Sequence, residues 1–427
     1  MMKKMTFTKK ILPLVAIVLW VGCDSLDFAD PNSPVVESAT LQSLVTGAEA
    51  GMRVDLDIYL RDLCVVGREV YYLEPADPRY TGELLTGPLD PGGFLTTRPW
   101  NAHYAVIKNC NLILEHEDAD AGAIGFAKTI LAYNLLMVIN MQDENGARLN
   151  YDGDITVDVA TKAEVFAEIN SLLDEGLTSL QSTSEFSFSL SSGFEGFDTP
   201  STFAQFNRAI AARVAVYDDR WQDALDALDD SFLDESGDLD MGVFHVYSSS
   251  LNDQSNEMYE DPLSTNIKLM GHPTFQTDAD SGDTRYSSKV LVRSETDTSL
   301  AVYTYDELSS DLGITIWSSS YDPVPIIRNE ELILLEAEAN IGLGNYSDAE
   351  SAMNIVRTAA GLDAYTGTDA TNALDRLLYE KRYSLFLEGH RLIDMRHYGK
   401  TGDLPIDRPS RGDKIVTFPL PETETPG

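Results

Sequence analysis

Apolar residues recur at helical spacing in block after block of this chain. Over residues 161–181, Val165, Ile169, Leu172, Leu173, Leu177 and Leu180 share one face, which predicts an amphipathic helix. The same period runs through Leu41–Leu60 and through Trp100, Tyr104, Ile107 and Leu114. Phe126–Met141 is strongly apolar, reads as a helix, and ends at the polar turn Gln142–Gly146. Leu378–Arg396 mixes charges with large apolar residues and reads as one C-terminal helix. Between these blocks the pattern fails. Residues 75–93 hold four Pro and four Gly, 183–201 are rich in Ser, Gly and Phe, and 231–325 are irregular, with short β-like runs at Lys289–Arg293 and Leu300–Tyr305. The expected fold is therefore mainly α with a long irregular loop region, and irregular stretches of that length usually carry binding function.

Two segments repeat one pattern. Trp221–Leu228 and Tyr346–Met353 each have an aromatic residue, Ala at +3 and +6, and a large apolar residue at +7. Small residues at those positions let a second helix pack closely, as in tetratricopeptide-type helix pairs. The copies lie 125 residues apart, so pairs embedded in a larger fold are expected rather than a tandem array.

The N-terminus has a different pattern. Lys3, Lys4, Lys9 and Lys10 precede the uncharged run Ile11–Val21, which is too short to span a bilayer at roughly 20 residues. Residues 1–22 are expected to be an export signal. Gly22–Cys23 at its end resembles a lipobox, which makes Cys23 the expected lipidation site, its thiol taking a diacylglycerol and its freed amine another acyl chain. Residues 23–40 are polar and contain Pro31 and Pro34, as a tether would. Beyond it, 41–230 is expected to be an N-terminal helical region and 231–427 a C-terminal one, together forming one compact unit.

Charge narrows the partners. The formal net charge is −38, and residues 1–22 hold four Lys and no acid, so the remainder carries −42. Such a surface disfavours nucleic acid, whose phosphates need basic groups, and anionic lipid. It fits a high-salt habitat that screens self-repulsion. Cys64 and Cys110 each sit in an apolar stretch and are expected as buried free thiols rather than a disulfide.

No catalytic motif survives inspection. Gly399–Lys400–Thr401 lacks the first Gly of a P-loop, Asp394 standing in its place. Neither GxSxG nor HExxH occurs. On a continuous helix His390, Asp394 and His397 would share a face, but Arg391 and Arg396 oppose a cation there, and a buried polar network is the expectation. The acidic loop Asp278–Asp283 has its Gly one position early for an EF-hand. No metal, cofactor or catalytic residue is expected. Tyr71, Tyr72, Tyr80, Trp317 and Tyr321 lie in or beside loops and are the candidate ligand-binding residues, since aromatic faces stack on sugar rings or apolar side chains.

Several segments together resemble a family. Cys23 with Leu26–Asp27 and Pro31, Trp100–Tyr104 with Ile107 and Asn111, Glu164–Ile169, Ile326–Arg328 through Glu331, Leu334 and Glu336–Ala337, and Phe418–Glu422 are similar to segments of the SusD/RagB nutrient-binding outer-membrane lipoproteins of Bacteroidota. The most specific match is Glu380–Lys381–Arg382 through Glu388–Arg391 and Asp394–Arg396. The resemblance implies a SusD-like fold on tetratricopeptide-type pairs and a surface position in the outer membrane. It also implies a role as lid for a TonB-dependent, SusC-like transporter barrel, with the helix pairs on the barrel and the loops toward an oligosaccharide or peptide. No enzymatic activity is expected. A surface glycoside hydrolase and a helical-repeat protein-binding scaffold remain the alternatives.

Overall fold

The computed structural model describes residues 39–151 and 156–424. The expected export signal, Cys23 and all of the tether but residues 39 and 40 lie outside the described residues. Helices α1 (Leu41–Gly51), α2 (Leu56–Val66), α3 (Phe94–Leu114), α4 (Ala121–Gln142), α5 (Lys162–Gln181), α6 (Pro200–Tyr217), α7 (Trp221–Asp229), α8 (Asn329–Leu343), α9 (Tyr346–Ala359), α10 (Ala373–Ser384) and α11 (Arg391–His397) form the bulk. From α3 to α9 each helix packs on the next, and α10 closes on α8 and α9.

Local chemistry sets the helix ends. Thr161 accepts from the Glu164 amide while the Glu164 carboxylate accepts from that of Thr161, a capping box that starts α5. Thr199 and Thr202 do the same for α6, with Pro200 in the first turn. Gly344 at φ 78° stops α8. By length and composition Ala121–Asn145 would cross a bilayer, yet 89% of its apolar window is buried, so here it is the central core helix.

The repeated pattern resolves into two helix pairs, α6–α7 and α8–α9. Ala224 and Ala227 of α7, like Ala349 and Ala352 of α9, are buried at the contacts. The pairs meet where the Trp221 ring lies on Gly342; a Cβ there would stand 2.2 Å from the ring, so only glycine permits the approach.

Two apolar stretches that read as single helices are each broken. Leu41–Leu60 divides at Met52–Asp55, with Asp55 left-handed at φ 55°, between α1 and α2. Gly51 packs on Val106 and brings α1 down onto α3, so the chain must turn before α2 can follow. Leu378–Arg396 divides at Leu385–His390, where Leu387 and Gly389 have φ of 67° and 83°. A helical period persists across such breaks, because both flanking helices face the same core.

The irregular region supplies the strands. β1 (Val70–Tyr72), β3 (Leu269–Gly271), β7 (Leu312–Ile314) and β4 (Val290–Val292) form an antiparallel sheet in that order. β2 (Gly242–His245) pairs with β8 (Val324–Arg328) through a bulge at Val243/Phe244. β5 (Tyr303–Tyr305) and β6 (Leu308–Ser310) form a hairpin whose turn residues, Asp306 and Glu307, have positive φ. Cys64 and Cys110 are buried and unpaired.

Candidate functional site

The turn between α1 and α2 is the floor of a polar cleft of about 300 Å³. Arg53 reaches across it, donating to the Val246 carbonyl at 2.6 Å and to Asp253 at 2.7 Å. Arg98 pairs with Asp55. Asn256 forms one wall: its amide donates to Ser320 O at 2.7 Å and its side chain to Asp322 O at 3.1 Å, which ties the 317–323 loop to the cleft. Every one of these contacts joins segments far apart in the chain.

Beside the cleft stands an aromatic–arginine cluster. Arg61 donates to Asp57, which lines the cleft, at 2.9 Å and to the Tyr80 hydroxyl at 3.1 Å. Its guanidinium lies 4.1 Å from the centre of the Tyr72 ring. Tyr72 meets Tyr80 edge-on at 4.5 Å, Tyr80 meets Phe94 at 5.7 Å, and exposed Arg79 covers Phe94 at 4.3 Å. Tyr72 and Phe94 remain half-buried. Burial pushes the Tyr80 phenol up to about 12, so it stays protonated. Ring faces with fixed donors and acceptors alongside can hold a ligand that has both C–H faces and hydroxyls.

The five candidate aromatics are thus divided. Tyr72 and Tyr80 come together in this cluster, and Tyr321, 47% exposed, stands on the loop that Asn256 ties to the cleft. Tyr71 and Trp317 face the core. Adjacent residues of a strand point to opposite sides, so with Tyr72 outward Tyr71 turns in, its hydroxyl 3.1 Å from His272 Nε2. Trp317 is 5% exposed and donates its indole N–H to Pro323 O at 3.1 Å. Sequence reading missed Arg53, Arg61, Arg79, Phe94, Arg98 and Tyr247, the last of which also lines the cleft. Phe94 directly follows the Pro/Gly-rich 75–93 stretch, a signal that could have found it.

The charged C-terminal segment serves a different purpose. Lys381 bridges Glu338 at 2.8 Å and Asp394 at 2.5 Å, all three buried. Burial works against the Lys381 charge, but the two carboxylates outweigh it and hold the ammonium above its ordinary range. Glu380 accepts from Arg285 at 2.6 Å and Arg357 at 3.0 Å, Glu388 from Arg328 at 2.8 Å, and Glu331 from Arg213 at 2.6 Å. His390, Asp394 and His397 take separate partners: Tyr217, Lys381 and Asp219. Asp278, Asp280 and Asp283 each pair with an arginine. Among the described residues no group of three potential ligands is placed to hold a metal.

Comparison with known proteins agrees with this architecture. The SusD family model matches residues 246–415. A SusD superfamily protein from Bacteroides vulgatus superposes with a TM-score of 0.67 at 16% identity, over 90% of this chain and 96% of that one. Surface glycan-binding protein A from Bacteroides thetaiotaomicron, in complex with laminarihexaose, gives 0.68 at 14% identity over the same shares. A laminarin-binding SusD-like protein gives 0.61 at 17%, over 89% and 96%. No curated protein sequence matches. The fold is that of the SusD-like proteins, mainly α on tetratricopeptide-type pairs. Residues 246–415 match the SusD family, and the chain as a whole shares the SusD-like fold.

Proposed function

We propose that this protein captures an uncharged oligosaccharide on its loop face and performs no chemistry on it. The observation that carries the reading is the pair of half-buried rings Tyr72 and Phe94, packed on buried Tyr80 and held by Arg61, which pairs with Asp57 of the Arg53 cleft. Laminarihexaose and laminarin, named for two of the similar structures, support a glycan over a peptide. A glycosidase needs one carboxyl kept protonated opposite a second. Asp55, Asp57 and Asp253 at the cleft are each paired with an arginine, which leaves Glu257, bonded to Ser255, as the one acid of the lining without one among the described residues. In this reading Cys23 anchors the protein in the outer membrane and the helix pairs seat it as a lid on a TonB-dependent barrel. Closure traps ligand only where the ligand favours the closed state.

The test is a glycan and peptide array on the purified protein, with Tyr72→Ala as control, and isolation of native complexes from membranes. Retention of a neutral glycan that Tyr72→Ala weakens, with a barrel co-purifying, supports the proposal. Shortening of the glycan, or retention of peptides only, overturns it.

A further inference from the structure

The cleft does not end at Arg53. Arg53, Tyr247 and Asp253 also line a second cavity, of about 270 Å³. Ser192 and Phe244 in turn line both this second cavity and a third, of about 460 Å³. The three adjoin along β2 and the chain that follows it. We infer that they form one groove for an extended, uncharged oligosaccharide, with a distal subsite at Phe244 and Met241; this rests on the proposed glycan reading and extends it.

The walls are pre-formed. The Ser191 amide donates to both Glu49 oxygens, at 3.2 and 3.0 Å, and Gln254 donates to Ala50 O at 2.8 Å. The 192–196 strap sits directly on β2: a Cβ on Gly193 would be 2.2 Å from the Phe244 carbonyl. A groove fixed before binding loses little entropy when filled. Its lining alternates along its length. Polar groups at Arg53 and Glu49 give way to half-buried Phe244 and to Met241, 37% exposed, over the edge-on Phe197–Phe232 pair, with Glu195 and Asp240 at the rim. Such alternation matches a chain of rings with hydroxyl edges and C–H faces. Beyond Arg53, among the described residues, the lining adds carboxylates and no further arginine or lysine. A chain bearing uronates or sulfates would meet like charge along that length.

The experiment is calorimetry on the full chain with laminari- and xylogluco-oligosaccharides of graded length. The variants Ser192→Trp, which fills the passage between the second and third cavities, and Met241→Ala both change exposed positions. In the unaltered protein affinity should rise roughly tenfold from the shortest bound oligomer to the longest. Ser192→Trp should lose the gain with length, and Met241→Ala should lose part of it. A short oligomer that binds with no gain, or a gain that survives Ser192→Trp, overturns the groove and leaves the proposed function standing. Equal binding of a uronate-bearing chain also overturns the groove as described. If no member of either series binds, the proposed function falls and the groove with it.

Discussion

The same residue types meet different fates on the two sides of this molecule. On the helical side Lys381, Glu380 and Arg213 are buried, and each is held by two or more partners. On the loop side Arg53, Arg79 and Arg98 are more exposed, and each pairs with one carboxylate, Arg53 donating to the Val246 carbonyl as well. A buried charge cannot lose its partner cheaply, so the helical network fixes how α8, α10 and α11 pack. A half-solvated pair can exchange part of its hydration for a ligand, which leaves the loop face free to bind.

The sharpest way to break this contrast is Lys381→Met. It strands Glu338 and Asp394 in the interior and should cost about 3–5 kcal/mol, read by urea unfolding. Glycan binding by the molecules that remain folded should be unchanged. A loss under 1 kcal/mol would mean that the network does not hold the helices.

Acid should act through buried imidazoles. Burial lowers His103 to about 4 and His245 to about 3, and lowers His272 despite Asp407. Folded values below the unfolded 6.5 mean that stability is full above pH 6.5 and is lost as pH falls toward the folded values. For His103 alone that is roughly 3 kcal/mol. Glu69, raised to about 7 by burial, runs the other way, contributing below about 4.5 and losing this as pH rises through 7. Glu49, Asp62, Glu336 and Asp394 are raised by burial in the same way, so the check is on one imidazole. His103→Phe should remove an acid loss of roughly 3 kcal/mol between pH 6.5 and 4, read as the difference between the unfolding curves of the two proteins at stepped pH.

On the loop face, Tyr72→Ala should weaken glycan binding by about 1–2 kcal/mol in calorimetry. Its effect on stability should be nearer 1 kcal/mol, because the ring is half-buried. Equal losses in both would erase the distinction between the two sides. The smallest effect expected is from salt. With −42 beyond residue 22 and arginines such as Arg68, Arg285 and Arg408 buried, the surface is largely acidic. Raising NaCl from about 0.1 to 1 M shortens the screening length from about 10 to 3 Å and should raise the melting temperature by a few degrees.

The helical side was largely legible in the sequence, because helix packing is written at spacings of three and four residues. The alanine spacing of α7 and α9 marked the paired helices, and the charges of residues 378–396 marked a polar network. The breaks at Asp55 and at Leu387–Gly389 were not legible, since tertiary packing imposes them on a period that continues. The loop face resisted for a related reason. A three-residue strand such as β1 carries too little alternation to reveal that Tyr72 faces out and Tyr71 in. The cluster itself joins Arg61, Tyr72, Tyr80 and Phe94 from different elements, and no spacing records that meeting. Trp317 is an indole in a loop by sequence, and its place in the apolar core, with the N–H on the Pro323 carbonyl, is a tertiary contact that no spacing records.

The most direct test of the division is hydrogen–deuterium exchange with and without the neutral oligosaccharide that binds best. Protection is predicted at residues 53–61, 72–98, 191–197 and 240–258, with α8 and α9 unchanged. Protection confined to those helices, with the loop face unaffected, would contradict the account.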